Sequence, residues 1–142
     1  MFKRIKYVSR YAQPLTHAEI TALADAAGQH NAARGITGAL MTSGGLFFQI
    51  IEGPAEAVDE LYASILRDPR HQDVLPLAID DFLPERLYPD WGMKLVDLDE
   101  RSETRLEPLR TILNAVITQR LLVQDLTGAL ERAMTQELLA RR

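Results

Sequence analysis

The chain has 142 residues, 46% of them hydrophobic and 25% charged, with a formal net charge of −4 and no cysteine. This is enough for one domain with a sizeable core; it excludes disulfides and thiolate chemistry, and it fits a reducing cytoplasm. The basic residues are scattered rather than gathered in a stripe, so direct nucleic-acid binding is not indicated, and no apolar run is long enough to cross a bilayer.

Phe2 to Ser9 reads as a first strand, rich in Ile, Tyr and Val, with Lys3, Arg4, Lys6 and Arg10 along its rim. The start is basic but turns at once to strand alternation, so it does not read as a signal peptide. "LTHAEITALADAAG" follows as a helix. It opens with a capping box, Thr16 with Glu19, and is expected to close at Gly28 as a C-terminal cap, with Asn31 directly after it. "GITGALMTSGGLFFQIIEG" gives two strands joined by the turn residues Ser43, Gly44 and Gly45. Pro54 then suits a first helical turn, and Val58, Leu61, Tyr62, Ile65 and Leu66 make the apolar stripe of a second helix.

"QDVLPLAIDDF" and "WGMKLVDL" read as two more strands, Pro76 arguing that the first lies at a sheet edge or begins late. The order β-α-β-β-α-β-β predicts an α+β, ferredoxin-like fold with a mostly five-stranded mixed sheet. Two helices cover only one face of such a sheet. From about Glu103 a helical pattern resumes, through Leu106, Leu109, Ile112, Leu113, Val116 and Ile117 and then Leu126, Leu130, Met134 and Leu138. It predicts one or two helices, Gly128 being a weak point, that cover the open face, pair with another copy, or both. Residues 1–99 are expected to form the main unit and 100–142 a helical extension of it.

The usual catalytic signatures are missing: no Walker-type loop, no GxGxxG and no HExxH. His17, His30 and His71 lie far apart and lack close metal-ligand spacing, so no metal site is expected. Asp80 with Asp81, and Asp97 with Asp99 and Glu100, read as solvated rim rather than acid–base pairs. The chain therefore reads as a non-enzyme. Polar residues inside apolar segments are more informative. Gln49 interrupts "GLFFQIIEGP", a strand apolar on both faces, where an unpaired amide costs about 1–3 kcal/mol. Tyr7 lies within the first strand and Asn31 in "GQHNAARGITG". Together a phenol and two amides satisfy a planar ligand edge carrying donors and acceptors, or else one another and nearby backbone.

Five stretches in order, "IKYVSR", "HNAARGITGAL", "GLFFQIIEGP", "LRDPRH" and "YPDWGMKL", resemble the BLUF family of blue-light receptors that use FAD. The resemblance spans about Lys3 to Leu98. It implies a flavin between the first two helices, with the C-terminal helices on the opposite sheet face. It implies Tyr7 as the electron and proton donor and Gln49 as the switch. Asn31 holds the flavin's polar edge, with His30 near the ring. Ile36 and Ile65 wall the ring, and Asp68 and Arg70 contact its ribityl and phosphate portions. His71, after Arg70, is a further candidate contact, although its place near a helix C-terminus explains it structurally. Trp91 and Met93, expected on one face of the last core strand, match the pair that passes the change outward; the structural alternative is a buried anchor and a gap-filling methionine. Ala27 and Gly28 stand where the family often has a small hydroxyl residue. The expected function is a stand-alone cytoplasmic photoreceptor, homo-oligomeric, signalling to a separate effector such as a cyclic-di-GMP enzyme or a transcriptional regulator. The alternatives are a light-independent flavin redox protein and a flavin-free adaptor.

Overall fold

The computed structural model describes residues 1–141. In chain order the elements are β1 (Phe2–Tyr11), α1 (His17–Ala32), β2 (Thr37–Ser43), β3 (Leu46–Gly53), α2 (Ala55–Arg67), β4 (His71–Leu83), β5 (Lys94–Asp97) and α3 (Glu107–Ala140), with short 3₁₀ turns at Leu98–Glu100 and Thr104–Leu106. They form one five-stranded sheet in the order β4-β1-β3-β2-β5. All neighbours are antiparallel except β2 and β5. This is the expected ferredoxin-like α+β arrangement with a fifth strand added beside β2.

Strand alternation divides the core. Ile5 and Tyr7 of β1 and Ile51 of β3 pack with Ile36 against Val58 and Ile65 of α2. Phe47 and Leu40 pack against Ala24 of α1. On the opposite face Val8, Leu46 and Leu75 meet Leu113 and Ile117 of α3. The register sets Tyr7 directly across from Gln49, and Gln49 across from Leu40 on the other side.

Local chemistry accounts for most boundaries. Thr16 Oγ1 accepts from the Glu19 N–H at 3.2 Å and Glu19 Oε1 from the Thr16 N–H at 3.1 Å, completing the capping box. Gly44 and Gly45 have φ of 55° and 82°, the left-handed pair that a tight two-residue hairpin requires. Ser43 thus ends β2 rather than entering the turn. β4 is an edge strand, as Pro76 requires, and its pairing with β1 shifts register between Lys6 and Tyr7, where Pro76 stands opposite.

Several expectations are corrected. Gly28 does not cap α1, which continues through Asn31 to Ala32 and is capped at Ala33. The glycine serves a crossing instead: a Cβ on Gly92 would lie 2.7 Å from the Gly28 carbonyl oxygen, so segment 91–93 runs directly over the α1 backbone there. β5 starts only at Lys94, because the chain is still crossing α1 before that point. Leu66 is exposed rather than part of the α2 stripe. The tail is a single 34-residue helix that runs unbroken through Gly128. Among the described residues no helix is long and apolar enough to cross a membrane.

Candidate functional site

α1 turns Leu23, Ala26, Ala27 and His30 to one side, and α2 turns Leu61, Ser64 and Ile65 toward them. Both sets follow the three-and-four spacing of a single helix face. Between them lies a cavity of about 270 Å³, closed at its base by Asn31 and Gln49 and bordered by Asp68, Arg70 and His71.

At the base, Tyr7 donates its phenolic hydrogen to Gln49 Oε1. Gln49 Nε2 donates onward to Met93 Sδ at 3.3 Å. A thioether is a weak acceptor, so the amide is held firmly at one end and loosely at the other. Tyr7 is fully buried. Its phenol is raised above the usual value, first by burial and then by neighbouring Tyr62 and Asp68. The Tyr62 ring lies 5.7 Å from that of Tyr7, and its hydroxyl is buried without a partner.

Asn31 is 1% exposed. Its backbone carbonyl accepts from the N–H groups of Arg34 and Ile36, which holds the end of α1. Both atoms of its side-chain amide are buried without any hydrogen-bond partner. Native proteins rarely leave a donor and an acceptor unmet at one residue, since each costs about 1–3 kcal/mol. An amide in this condition at a cavity base suits a partner that both accepts and donates.

At the mouth, Asp68 accepts from Arg70 through Nε at 3.0 Å, Nη2 at 2.6 Å and the backbone N–H at 2.9 Å. Arg70 thereby holds the Asp68 carboxyl below its ordinary range. His71 Nδ1 lies 2.8 Å from Ser9 Oγ, and burial lowers the imidazole pKa. Its ring is 4.8 Å from Phe47 and 6.1 Å from Tyr7.

The structure therefore brings His30, Asn31, Gln49, Ile65, Asp68, Arg70 and His71 to one cavity, with Tyr7 and Met93 one bond behind Gln49. Ile36 does not line the cavity; it packs behind it, in the core group of Tyr7 and Ile51. Trp91 is neither a buried anchor nor on a strand face with Met93. It precedes β5, is 43% exposed, and stacks on Tyr88 at 5.5 Å with the Lys94 ammonium 5.9 Å from its ring. Its carbonyl accepts from the Gly38 N–H, which fixes the backbone while leaving the indole outside. Leu23, Ala26 and Ser64 also line the cavity, and helical spacing alone places them beside the expected site residues. Ala27 lines the cavity without a hydroxyl.

A second cluster corrects the reading of the acidic rim. Asp97 is buried, accepts from Thr42 Oγ1 at 3.0 Å, and lies 2.7 Å from His17 Nδ1. His17, Asp97 and Glu100 offer ligand atoms within 4.8 Å of one another.

The family model for BLUF, sensors of blue-light using FAD, matches residues 2–94. The chain belongs to the BLUF family. Photoactivated adenylate cyclase subunit beta of Euglena gracilis is 36% identical over 111 residues, 78% of this chain and 13% of that protein. The blue light- and temperature-regulated antirepressor BluF of Escherichia coli (strain K12) is 38% identical over 80 residues, 56% of this chain and 20% of that protein. The chain thus spans a small part of the length of these curated relatives. Among solved structures, a bacterial light-regulated adenylyl cyclase has a TM-score of 0.82 at 35% identity, covering 88% of this chain and 36% of that one. BlrB, a BLUF protein in its dark state, has a TM-score of 0.68 at 35% identity, covering 81% and 83%. BLUF domains bind a flavin, and the residues here fit one. Apolar helix faces suit a planar ring, the open Asn31 amide suits a polar ring edge, and Arg70 suits a phosphate.

Proposed function

We propose that this BLUF domain binds FAD between α1 and α2 and senses blue light through Tyr7 and Gln49. The bound flavin supplies the absorption of blue light and, once excited, an acceptor for one electron and one proton. Asn31 and Gln49 orient its polar edge, His30 and Ile65 lie along the ring, and Asp68, Arg70 and His71 hold the portion near the mouth. One observation carries the reading: a fully buried phenol is bonded to an amide that itself borders the cavity.

Burial disfavours the phenolate, so Tyr7 gives up its proton only together with an electron. Gln49 would take that proton at Oε1 and give up one from Nε2 to the bound flavin, the proton acceptor, which would leave the Gln49 side chain in its imidic form. When Tyr7 recovers its electron and proton, the amide returns turned around or in the other tautomer. Both orientations are tolerated because a phenol donates or accepts, and because turning away from Met93 Sδ gives up only a weak bond. In a dry site the two patterns differ more in energy than they would in water. Met93, bonded to Gln49, adjoins the Gly92 crossing that leads to β5 and α3, so it passes the change on; exposed Trp91 is the other candidate for this relay. The domain is a sensor rather than an enzyme. Its output runs through residues 100–142 to a separate effector: a nucleotide cyclase or a transcriptional regulator, as named among its relatives, or a cyclic-di-GMP enzyme, as the family resemblance implies. The exposed apolar stripe of α3 supports self-association.

Absorption spectra of the purified holoprotein in darkness, under blue light and after return to darkness test this. A red shift that recovers thermally is expected in the wild type and absent in Gln49→Leu, with flavin still bound. A red shift retained in Gln49→Leu removes the central claim. Bound flavin that only bleaches, with oxidation of NAD(P)H, would favour a redox protein instead.

A further inference from the structure

Away from the flavin cavity, the fold gathers three metal-ligating side chains from distant segments. His17 opens α1, Asp97 ends β5, and Glu100 closes the 3₁₀ turn that follows. Asp97 caps that turn and Glu100 stands three residues on. Side chains three apart eclipse in a 3₁₀ helix, so both carboxylates face one side of the turn. β5 packs beside α1, which brings His17 to them although it lies 80 positions from Asp97 in the chain. One ring nitrogen of His17 and one oxygen each of Asp97 and Glu100 all lie within 4.8 Å of one another. Histidine spacing alone conceals such a site, because its other two ligands are carboxylates.

The innermost ligand is already oriented. Asp97 is 6% exposed. Its Oδ1 accepts from Thr42 Oγ1 at 3.0 Å and from the Asp99 N–H at 3.2 Å, which turns Oδ2 toward His17 Nδ1 at 2.7 Å. Thr21 Oγ1, one turn along α1, lies 3.5 Å from the other ring nitrogen, Nε2. Outer partners of this kind fix the imidazoles and carboxylates of metal sites. Asp99 is turned away, both its oxygens accepting from the Gly44 N–H. His17 and Glu100 are exposed, so an ion can enter from solvent. Zn²⁺ takes imidazole nitrogen and carboxylate oxygen at about 2.0–2.2 Å, which sets ligand atoms on a tetrahedral ion about 3.3–3.6 Å apart. An ion that replaces the proton between His17 and Asp97 spreads that pair by about 0.6–0.9 Å and draws Glu100 inward. One nitrogen donor among the three favours Zn²⁺ over Mg²⁺ and Ca²⁺, which take a full shell of oxygens.

We propose that His17, Asp97 and Glu100 bind one divalent transition-metal ion, Zn²⁺ by preference, with water completing its shell. The ion clamps α1 to the turn between β5 and α3. That turn is itself fixed to α3, because Arg110 Nη2 donates to the carbonyls of Leu98 and Arg101. An occupied site thus ties the tail to a helix that walls the flavin cavity. None of the three ligands borders that cavity, so the site stands independently of the light-sensing reading.

The test is calorimetric titration of Zn²⁺ into the full chain, flavin bound and freed of metal by a chelator, at pH 7.5. One Zn²⁺ per chain is expected, with Mg²⁺ and Ca²⁺ at least about tenfold weaker. His17→Gln and Glu100→Gln, both at exposed positions, should each weaken Zn²⁺ by more than about tenfold. Asp99→Asn removes a neighbouring charge but no ligand, and should leave the affinity within about twofold of the wild type. Zn²⁺ should also raise the melting temperature of the wild type and of Asp99→Asn, and of neither ligand variant. Wild-type protein that takes up no Zn²⁺ overturns the site, as does binding that survives both ligand substitutions. Equal losses in Asp99→Asn and Glu100→Gln, or Mg²⁺ binding as tight as Zn²⁺, would reduce the cluster to a diffuse acidic patch.

Discussion

Gln49 is polar in an apolar strand because its two ends face different partners, a phenol and a thioether. His17 shows the same point for charge. Its imidazole meets the buried Asp97 carboxylate at 2.7 Å, and the Asp97 hydrogen bond, more than the pull of nearby Glu100, raises its pKa above the ordinary 6.5. A raised folded-state pKa contributes stability that is complete below the unfolded value and disappears as pH climbs through the raised one. His17→Gln should therefore cost stability at pH 5.5 and little at pH 9, measured as urea midpoints of variant and wild type. An equal deficit at both pH values would show that the imidazole acts as a spacer and not as a cation. At this scale the sequence was legible where a residue violated its own pattern, as Tyr7, Asn31 and Gln49 do. It was not legible for Asp97, whose partners His17 and Thr42 lie 80 and 55 positions away in the chain, nor for Trp91, which precedes β5 beside the Gly92 crossing.

Elements were readable where their signals are local. The Thr16–Glu19 capping box, the Gly44–Gly45 hairpin and the edge position imposed by Pro76 each act within a few residues. The end of α1 is not legible locally, because a glycine that suits a cap also suits a close chain crossing, and only the position of Gly92 distinguishes the two. Glu52 of β3 is another long-range element anchor. Fully buried, it accepts from Arg4 Nε at 2.8 Å, the Leu87 N–H at 3.0 Å and the Tyr88 N–H at 2.6 Å, pinning the chain before Trp91 to the sheet. Glu52→Ala leaves the nearly buried Arg4 without its carboxylate and two N–H groups without an acceptor. A loss of about 3–5 kcal/mol in chemical denaturation is expected, and Glu52→Gln should recover part of it by restoring an acceptor. A loss below about 1 kcal/mol would mean that water replaces Glu52 without difficulty.

For the whole molecule, α3 matters most. Leu113 and Ile117, with Leu106 just before the helix, bury its first part, whereas Val123, Leu126 and Leu130 farther along are exposed at the three-and-four spacing that pairs helices. Self-association through this stripe predicts that a Leu126→Glu, Leu130→Glu double variant sediments as a monomer while keeping the wild-type light response at the flavin. An unchanged sedimentation coefficient would move the contact elsewhere. The same division of α3 has a mechanical side. Its anchored part, which extends to Arg120 on the Pro76 carbonyl and Leu121 against the sheet, is a fulcrum, and the stretch from Leu122 to Ala140 is an arm of about 28 Å at a rise of about 1.5 Å per residue. A tilt of about 4° at the sheet sweeps the far end through about 2 Å. On the proposed signalling route, the displacement of a single buried amide would thereby be magnified into a movement as large as the gap between two packed side chains.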